Sequence, residues 1–84
     1  MYHVYVLQSL KNGQLYFGRT ENLEERLSEH NNGNVSSTKQ HKPWEYVYVE
    51  SYKAKKDAAA RELQLKQYGN ARTYVKKRLR FSIT

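Results

Sequence analysis

The sequence predicts an α+β fold in which a small, mostly antiparallel sheet of three strands is flanked by helices. Two short runs rich in aromatic and β-branched residues surround an Asn-Gly pair, which is typical of a β-hairpin. Apolar residues then recur at helical spacing in two later segments. Between these segments lies a run in which Val alternates with Tyr. The predicted element order is therefore β-β-α-β-α, with one more short helix at the end.

The two hairpin strands are predicted at residues 2–7 and 15–17. The first reads Tyr-His-Val-Tyr-Val-Leu and the second Leu-Tyr-Phe, and both compositions favour extended backbone. Residues 11–14 between them contain the Asn-Gly pair, which fits the positive φ angles of a tight hairpin turn. We therefore expect the two strands to pair antiparallel.

The first helix is predicted over about residues 22–31. Its buried stripe consists of three residues at helical spacing, Leu23, Leu27 and His30. Either Thr20 or Asn22 can serve as the N-cap, and Glu25 follows Asn22 by three residues, as in a capping box. Gly33 lies just beyond the end, where glycine commonly stops a helix.

The remaining sequence predicts a loop, a strand and two helices. Residues 32–43 have little apolar content, so we expect a loop that is longer than the usual connection. Residues 45–52 predict the third strand, and residues 54–68 predict a helix closed by Gly69. One face of that helix contains Ala54, Ala58, Leu65 and Tyr68. Residues 71–80 predict a short basic helix, docked through Tyr74, Val75, Leu79 and Phe81.

Composition excludes several classes of site. A chain of 84 residues predicts a single domain over residues 1–84 with a shallow site instead of an enclosed cavity. The absence of cysteine excludes disulfides, thiolate zinc sites and cysteine nucleophiles. No apolar run reaches the roughly 18 to 20 residues of a membrane span, and the first residues do not resemble a signal peptide. We therefore expect a cytoplasmic protein with no membrane partner.

The net charge of +7 is concentrated in the second part of the chain. Residues 1–51 contain 5 basic and 6 acidic residues, whereas residues 52–84 contain 10 basic and 2 acidic residues. Such an excess indicates a polyanionic partner. The alternative is a solvated basic tail that serves solubility.

Arg26 lies beside the buried stripe of the first predicted helix, four residues before His30. A guanidinium at the edge of a core is well suited to bind a phosphate through two parallel hydrogen bonds. The alternative is an ion pair with Glu25 or Glu29 on the same helix.

Glu62, Tyr5 and Tyr16 each have two interpretations. Glu62 is the last acidic residue before a basic region, so its carboxylate is either a metal ligand or the partner of Lys66 at the i, i+4 spacing. Tyr5 and Tyr16 lie on the paired strands, where most tyrosines pack against the core and keep a hydrated oxygen.

Taken together, these residues resemble the GIY-YIG nuclease superfamily, in its small, stand-alone, single-domain bacterial form. The motif consists of Tyr5, the triplet Tyr16-Phe17-Gly18, Arg26 eight residues after Gly18, and Glu62 in a later helix. The resemblance covers about residues 2–70. The matching stretches are residues 2–9, 15–20, 22–31, 37–39, 43–44 and 61–62. The sequence departs from the family pattern at His3, where the family has Gly, and at Phe17, where it has Ile.

The resemblance implies hydrolysis of DNA phosphodiester bonds with one divalent metal ion, Mg²⁺ or Mn²⁺, held by Glu62. Tyr16, alone or with Tyr5, would orient or deprotonate the attacking water. As a base, a phenol would need its pKa lowered from about 10 to about 7 or 8, with help from neighbouring cations. Arg26 would stabilise the charge on the phosphoryl oxygens. His30 would hydrogen-bond Tyr5 or the phosphate.

A set of cations would then bind the phosphate backbone without reading bases. These residues are Arg19, Lys39, Lys66, Arg72, Lys76, Lys77 and Arg78, and residues 71–84 form a basic C-terminal segment. The loop that contains Ser36, Ser37, Thr38, Lys39 and Lys42 would either touch the backbone as well or be an ordinary mobile loop.

The leading hypothesis is a metal-dependent DNA endonuclease, directed by DNA structure or damage, as in DNA repair, and with little sequence specificity. One alternative is a nucleic-acid-binding module of the same fold without cleavage, or a nuclease subunit targeted by a partner protein. Another is an adaptor whose positive surface binds acidic proteins.

Overall fold

One antiparallel sheet, with β1 in its centre, organises the protein. In the computed structural model, which describes residues 1–67, the strands are β1 (Tyr2–Ser9), β2 (Leu15–Thr20) and β3 (Trp44–Tyr52). β1 pairs antiparallel with both β2 and β3. The helices are α1 (Leu23–Asn31) and α2 (Lys55–Gln67), and one turn of 3-10 helix lies at Lys39–His41. The predicted α+β fold is confirmed.

Several predictions concern residues 68–84, which lie outside the described residues. These are the predicted helix at residues 71–80, the closure of α2 at Gly69, the packing of Tyr68, and four predicted DNA contacts, Arg72, Lys76, Lys77 and Arg78. The single-domain prediction for residues 1–84 also stays a prediction.

The two faces of β1 pack against different helices because successive strand side chains point to opposite faces. Val4 and Val6 pack with Phe17 of β2 and with two residues of α2, Ala58 and Leu65. Tyr5 and Leu7 pack on the other face with Trp44 and with two residues of α1, Leu23 and Leu27. Ala54, predicted to share the buried face of α2, is exposed and precedes the helix, so that part of the prediction is wrong.

The start of α1 is fixed by Asn22, one of the two predicted N-caps. Its Oδ1 accepts a hydrogen bond from the backbone N–H of Glu25 at 3.0 Å, which satisfies a free donor of the first turn. Thr20 instead accepts from the N–H of Asn22 at 3.1 Å. Gly33 has a φ of 78° just after the helix, a left-handed conformation that favours glycine.

A β-bulge in β3 places Tyr46 and Tyr48 on opposite faces of the sheet, although two such residues would share one face of a regular strand. Val6 pairs with Tyr48 and Leu7 with Tyr46, so Val47 is the extra residue. Tyr46 therefore lies on the α1 face, where its hydroxyl donates to the Leu23 carbonyl at 2.7 Å. Tyr48 lies on the α2 face. The bulge thus ties the beginning of α1 to the sheet.

A half-buried carboxylate, Glu50, ties α2 to β3. It accepts hydrogen bonds from Tyr48 at 2.6 Å and Tyr52 at 2.7 Å, and it binds Arg61 through both oxygens at 2.8 and 3.1 Å. Burial alone would raise the pKa of Glu50, but the hydrogen bonds from Arg61 and the two tyrosines hold it below its ordinary value. Because Arg61 directly precedes Glu62, this arrangement also restricts the position of Glu62.

Within residues 1–67, neither helix has the length and apolar character that crossing a membrane requires.

Candidate active site

Tyr5 lies at the centre of a polar cluster between β1 and α1. Its side chain is fully buried. The Arg26 Nε donates to the Tyr5 hydroxyl at 3.3 Å, and the same hydroxyl lies 3.0 Å from His30 Nε2. His30 therefore contacts Tyr5, one of the two partners predicted for it. Full burial of His30 keeps its ring from reaching a bound phosphate in this conformation.

The hydrogen-bond partners of His30 assign its tautomer. Thr38 Oγ1 donates to the Val35 carbonyl at 3.3 Å, so it accepts from His30 Nδ1, which lies 2.7 Å away. Neutral His30 then has a free lone pair on Nε2, which accepts from the Tyr5 hydroxyl. A series of hydrogen bonds therefore runs from Arg26 through Tyr5, His30 and Thr38 to the Val35 carbonyl.

These hydrogen bonds show that part of the loop over residues 32–43 faces the interior of the protein. Thr38 is 1% exposed, and its carbonyl also accepts from the Trp44 indole at 3.0 Å. Its hydroxyl therefore faces the interior, which excludes the DNA contact, one of the two interpretations of the loop, for this residue. Ser36, Ser37 and Lys39 are exposed, so for them a backbone contact stays a prediction.

Burial sets the protonation states in this cluster. Burial, reinforced by the charge of Arg26, lowers the pKa of His30 from 6.5 to about 4. Burial also raises the pKa of Tyr5, and this effect outweighs the hydrogen bond from Arg26, which acts in the other direction. Arg26 thus lowers the pKa of Tyr5, as expected of a neighbouring cation, but burial has the larger effect. The hydrogen bond with Tyr5 raises the pKa of Arg26, which stays charged.

His30 should make the stability of the protein depend on pH. In the unfolded chain the pKa of His30 is about 6.5, whereas in the folded protein it is about 4. Between these two pH values the unfolded state therefore binds a proton that the folded state does not bind. The free energy of unfolding should fall by about 2 kcal/mol between pH 6.5 and 5, and by about 3 kcal/mol in all by pH 4. Urea unfolding followed by the fluorescence of Trp44, the one tryptophan, measures this dependence.

The control for this prediction is His30→Gln, which keeps a polar side chain of similar size but cannot titrate. Its stability should be lower at pH 7 and should change less between pH 6.5 and 5 than that of the wild type. Parallel stability curves for the two proteins would contradict the buried, neutral state of His30.

Gly18 is required by the close approach of Tyr5. The two residues are direct partners in the β1–β2 pairing, and a Cβ built on Gly18 would lie 2.5 Å from Tyr5 Cζ. No side chain fits there, which gives a physical reason for the glycine of the second triplet. His3, where the family has its other glycine, forms regular strand pairs with Thr20 and Ser51, and its Nδ1 lies 2.7 Å from the Ser51 hydroxyl.

Tyr16 is the half-buried tyrosine of the cluster, on the edge strand β2. Its ring centroid lies 5.1 Å from that of His30, and 6.4 Å from those of Tyr5 and Trp44. On its other side, Lys66 Nζ of α2 lies 5.9 Å from the ring centroid. Tyr16 thus lies at the edge of the sheet, where His30 of α1 and Lys66 of α2 both approach it.

Glu62 approaches this edge from α2 and carries two ion pairs. Its carboxylate lies 3.5 Å from Arg19 Nε and 3.2 Å from Lys66 Nζ, and 19% of its side chain is exposed. The predicted pair with Lys66 is therefore present, and Arg19 is a further partner. Since Lys66 also contacts Tyr16, the structure brings all five predicted catalytic residues to one region. Tyr5 contacts Arg26, His30 and Tyr16, Tyr16 also lies against His30, and Glu62 joins them through Lys66.

Glu62 has the chemistry of a metal ligand, although it is a single carboxylate. Among residues 1–67, no group of three or more His, Cys, Asp or Glu side chains could hold a metal ion. Mg²⁺ typically binds one or two carboxylates and completes its shell with water and substrate phosphates. The donors present therefore fit Mg²⁺ or Mn²⁺ held by Glu62, water and a phosphate.

Comparison with known proteins agrees with these features. A family model described as the GIY-YIG catalytic domain matches residues 1–78. A UPF0213 protein of Clostridium perfringens is 40% identical over 68 residues, which cover 80% of this chain and 72% of the relative. A UPF0213 protein of Staphylococcus saprophyticus is 34% identical, covering 80% and 82%, and one of Halobacterium salinarum is 35% identical, covering 84% and 92%. No solved structure gives a significant match.

Proposed function

The chain belongs to the GIY-YIG family, a nuclease-type family, and from this premise we propose that it hydrolyses DNA phosphodiester bonds with the help of a divalent metal ion. The observation that carries the proposal is the arrangement around the edge of β2. A half-buried phenol, Tyr16, lies against His30 and near Lys66. His30 and Arg26 of α1 share the Tyr5 hydroxyl, and Lys66 pairs with Glu62 of α2. These are the groups that a phosphodiester hydrolase needs for water, phosphate and metal.

Arg26 is the proposed phosphate ligand. Its Nε is used by Tyr5 and its Nη1 by Glu29 at 3.1 Å, so the plane of the guanidinium is fixed before a substrate arrives. A donor that is already oriented stabilises the charge that develops on phosphoryl oxygens without reorganisation during the reaction. The ion pair with Glu29, the alternative drawn from the sequence, thus coexists with this role.

The two tyrosines have different proposed roles. Tyr16 would orient the attacking water and, as its phenolate, accept its proton, since its side chain is partly exposed beside the other catalytic groups. Tyr5 is buried and stays protonated, because its pKa is raised. Its hydroxyl donates to His30 and accepts from Arg26, so we assign it, together with His30, to positioning Arg26.

A divalent ion bound by Glu62 would supply positive charge at the departing oxygen. To bind it, Glu62 has to exchange at least one of its ion-pair partners. Lys66 is 45% exposed and flexible enough to turn towards a phosphate. Arg19 and Lys66 would then contact the DNA backbone. Because such contacts carry no sequence information, we propose recognition of DNA structure or damage rather than of sequence.

The two ion pairs of Glu62 also favour a second candidate, a nucleic-acid-binding module without cleavage. In such a protein Glu62 would serve only to anchor Arg19 and Lys66. Protein–DNA binding would then be the whole function, with or without a partner protein.

Gel analysis of labelled DNA separates the two candidates. Wild-type protein would be incubated with nicked, branched and single-stranded DNA in Mg²⁺, Mn²⁺ or EDTA, beside Arg26→Ala and Glu62→Ala. We expect fragments from at least one substrate with wild type and metal, and far fewer with EDTA or either variant. If all three proteins bind these substrates and leave every one intact, the binding module is correct and the nuclease is not.

A further inference from the structure

A basic cavity lies between the β1–β2 turn and the 3-10 turn at Lys39–His41. It measures about 550 Å³ and is lined by Lys11, Asn12, Lys39, Gln40, His41 and Lys42. Three of these six lining residues are lysines, and none of the six, all within the described part of the chain, is acidic. The electrostatic potential of the cavity therefore favours an anion.

Hydrogen bonds between the two walls hold the cavity in shape. The Ser9 hydroxyl donates to the His41 carbonyl at 2.5 Å, and the Leu10 N–H donates to the Pro43 carbonyl at 2.8 Å. Lys11 Nζ donates to the Gln40 carbonyl at 3.1 Å. The turn and the loop are thus connected before any ligand binds, so an anion here meets a preformed site.

The same network assigns a donor to His41. Asn12 Oδ1 accepts from the N–H of Gln14 at 3.1 Å, which fixes the orientation of the amide. Asn12 Nδ2 therefore donates to His41 Nδ1, which lies 2.8 Å away. With Nδ1 accepting, a neutral His41 carries its proton on Nε2. The cavity lining then contains both ammonium groups and an imidazole N–H, the donors that phosphate oxygens bind.

The cavity is separated from Tyr16 by one aromatic ring. The Trp44 ring centroid lies 6.4 Å from that of His41 on one side and 6.4 Å from that of Tyr16 on the other. Trp44 is 3% exposed and held by Asn31, whose side chain pairs with its backbone N–H at 2.6 Å and its carbonyl at 3.1 Å. The two distances place the ring centroids of His41 and Tyr16 no more than 12.8 Å apart, so the cavity lies close to the candidate site.

We propose that this cavity is a second phosphate-binding site, which holds the backbone of the cleaved strand beyond the scissile phosphate. The inference rests on the proposed function in that the ligand is the DNA substrate. It adds a named position for the flanking phosphate, with Lys39 and Lys42 as its main charges and Lys11 as part of its wall.

The salt dependence of DNA binding tests this proposal. Fluorescence anisotropy would measure the affinity for a labelled duplex between 50 and 200 mM salt, about the range over which phosphate contacts change affinity strongly. Each phosphate contact contributes about 0.9 to the slope of log affinity against log salt. The double variant Lys39→Gln/Lys42→Gln should flatten the slope by about 1 to 2.

The matched control is Lys53→Gln/Lys56→Gln, which removes the same charge. Both of its lysines are exposed and lie near the Tyr2–Tyr52 end of the sheet, whereas the cavity lies near the Ser9–Trp44 end. The control should flatten the slope clearly less than the cavity variant. Equal slopes for the two double variants would overturn the proposal, since the effect would then be one of net charge. The single variants Lys39→Gln and Lys42→Gln repeat the test if the double variant does not fold.

Three further outcomes separate this proposal from neighbouring ones. If inorganic phosphate shifts the NMR resonances of the cavity residues while duplex DNA does not, the site binds a free anion and the proposal is wrong. If the two double variants differ in slope as expected but the wild type cleaves no substrate, the nuclease proposal is wrong and the cavity remains supported as a site for the DNA backbone. If the wild type cleaves DNA and the slopes are equal, the cavity proposal alone fails.

Discussion

Arg26→Ala should slow DNA cleavage by about 100- to 1000-fold, the usual cost of removing one oriented donor from a developing oxyanion. The guanidinium is held by Tyr5 at 3.3 Å and Glu29 at 3.1 Å, and it borders the half-buried Tyr16 cluster. Its removal should leave the fold intact, because Arg26 is partly exposed and contributes no part of the two hydrophobic clusters. Single-turnover cleavage at saturating protein measures the rate without the effect on binding.

Glu29→Gln is the control that separates this role from a helical ion pair. It removes the carboxylate from Arg26 but leaves the guanidinium and its bond to Tyr5 in place. The glutamine amide oxygen can still accept from Arg26 Nη1, so the guanidinium keeps its orientation. An exposed ion pair of this spacing contributes only about 0.3 to 0.5 kcal/mol, so the rate should change by no more than about threefold. If Arg26→Ala and Glu29→Gln have equally small effects, Arg26 is an ion-pair residue and not a phosphate ligand.

Glu62→Gln should have opposite effects on cleavage and on DNA binding. The loss of a metal ligand should reduce metal-dependent cleavage by at least about 100-fold, because losing even an outer partner of a ligand costs about 10- to 100-fold. The same change releases Arg19 and Lys66 from their ion pairs, so DNA affinity should stay the same or rise. Cleavage rates and anisotropy titrations at one salt concentration measure both quantities.

Glu45→Gln is the matched control for Glu62→Gln, since it removes one negative charge from an exposed position on β3. It should leave the cleavage rate nearly unchanged. A Glu62→Gln protein that cleaves at the wild-type rate would exclude Glu62 as the metal ligand. Weaker DNA binding by Glu62→Gln would indicate that its ion pairs hold Arg19 and Lys66 in place for DNA.

Local sequence patterns were sufficient for most of the fold. The Asn-Gly turn, the alternation of Val and Tyr, and the capping sequence after Asn22 each depend on neighbouring residues, and the corresponding elements form close to the predicted positions. Ala54 was assigned wrongly because helical spacing does not show where a helix begins. The bulge at Val47 was not predicted, since it depends on pairing with a distant strand.

The candidate site was predicted from the resemblance more than from the residues taken singly. Residue spacing alone did not decide whether Arg26 binds a phosphate or forms an ion pair on its own helix. In the structure its guanidinium binds both Glu29 and Tyr5. The burial of Thr38 was not predicted, because a polar loop gives no periodic sign of which side chain is buried. The hydrogen bonds of Glu50 were not predicted, although Glu50 lies between Tyr48 and Tyr52 at alternate positions of one strand. This spacing allows its carboxylate to accept from both phenols.

A metal chase of preformed complexes tests the central claim, that this protein hydrolyses DNA at the site around Tyr16, Arg26 and Glu62. Wild type and Arg26→Ala would each be bound to labelled nicked, branched or single-stranded DNA in EDTA, and excess Mn²⁺ would then be added. DNA binding is complete before the chase, so the observed rate contains metal binding and the chemical step but not DNA binding. We predict that DNA bound to the wild type is converted to shorter fragments, and that Arg26→Ala does so about 100- to 1000-fold more slowly. Intact DNA in every wild-type complex after the chase would contradict the nuclease assignment.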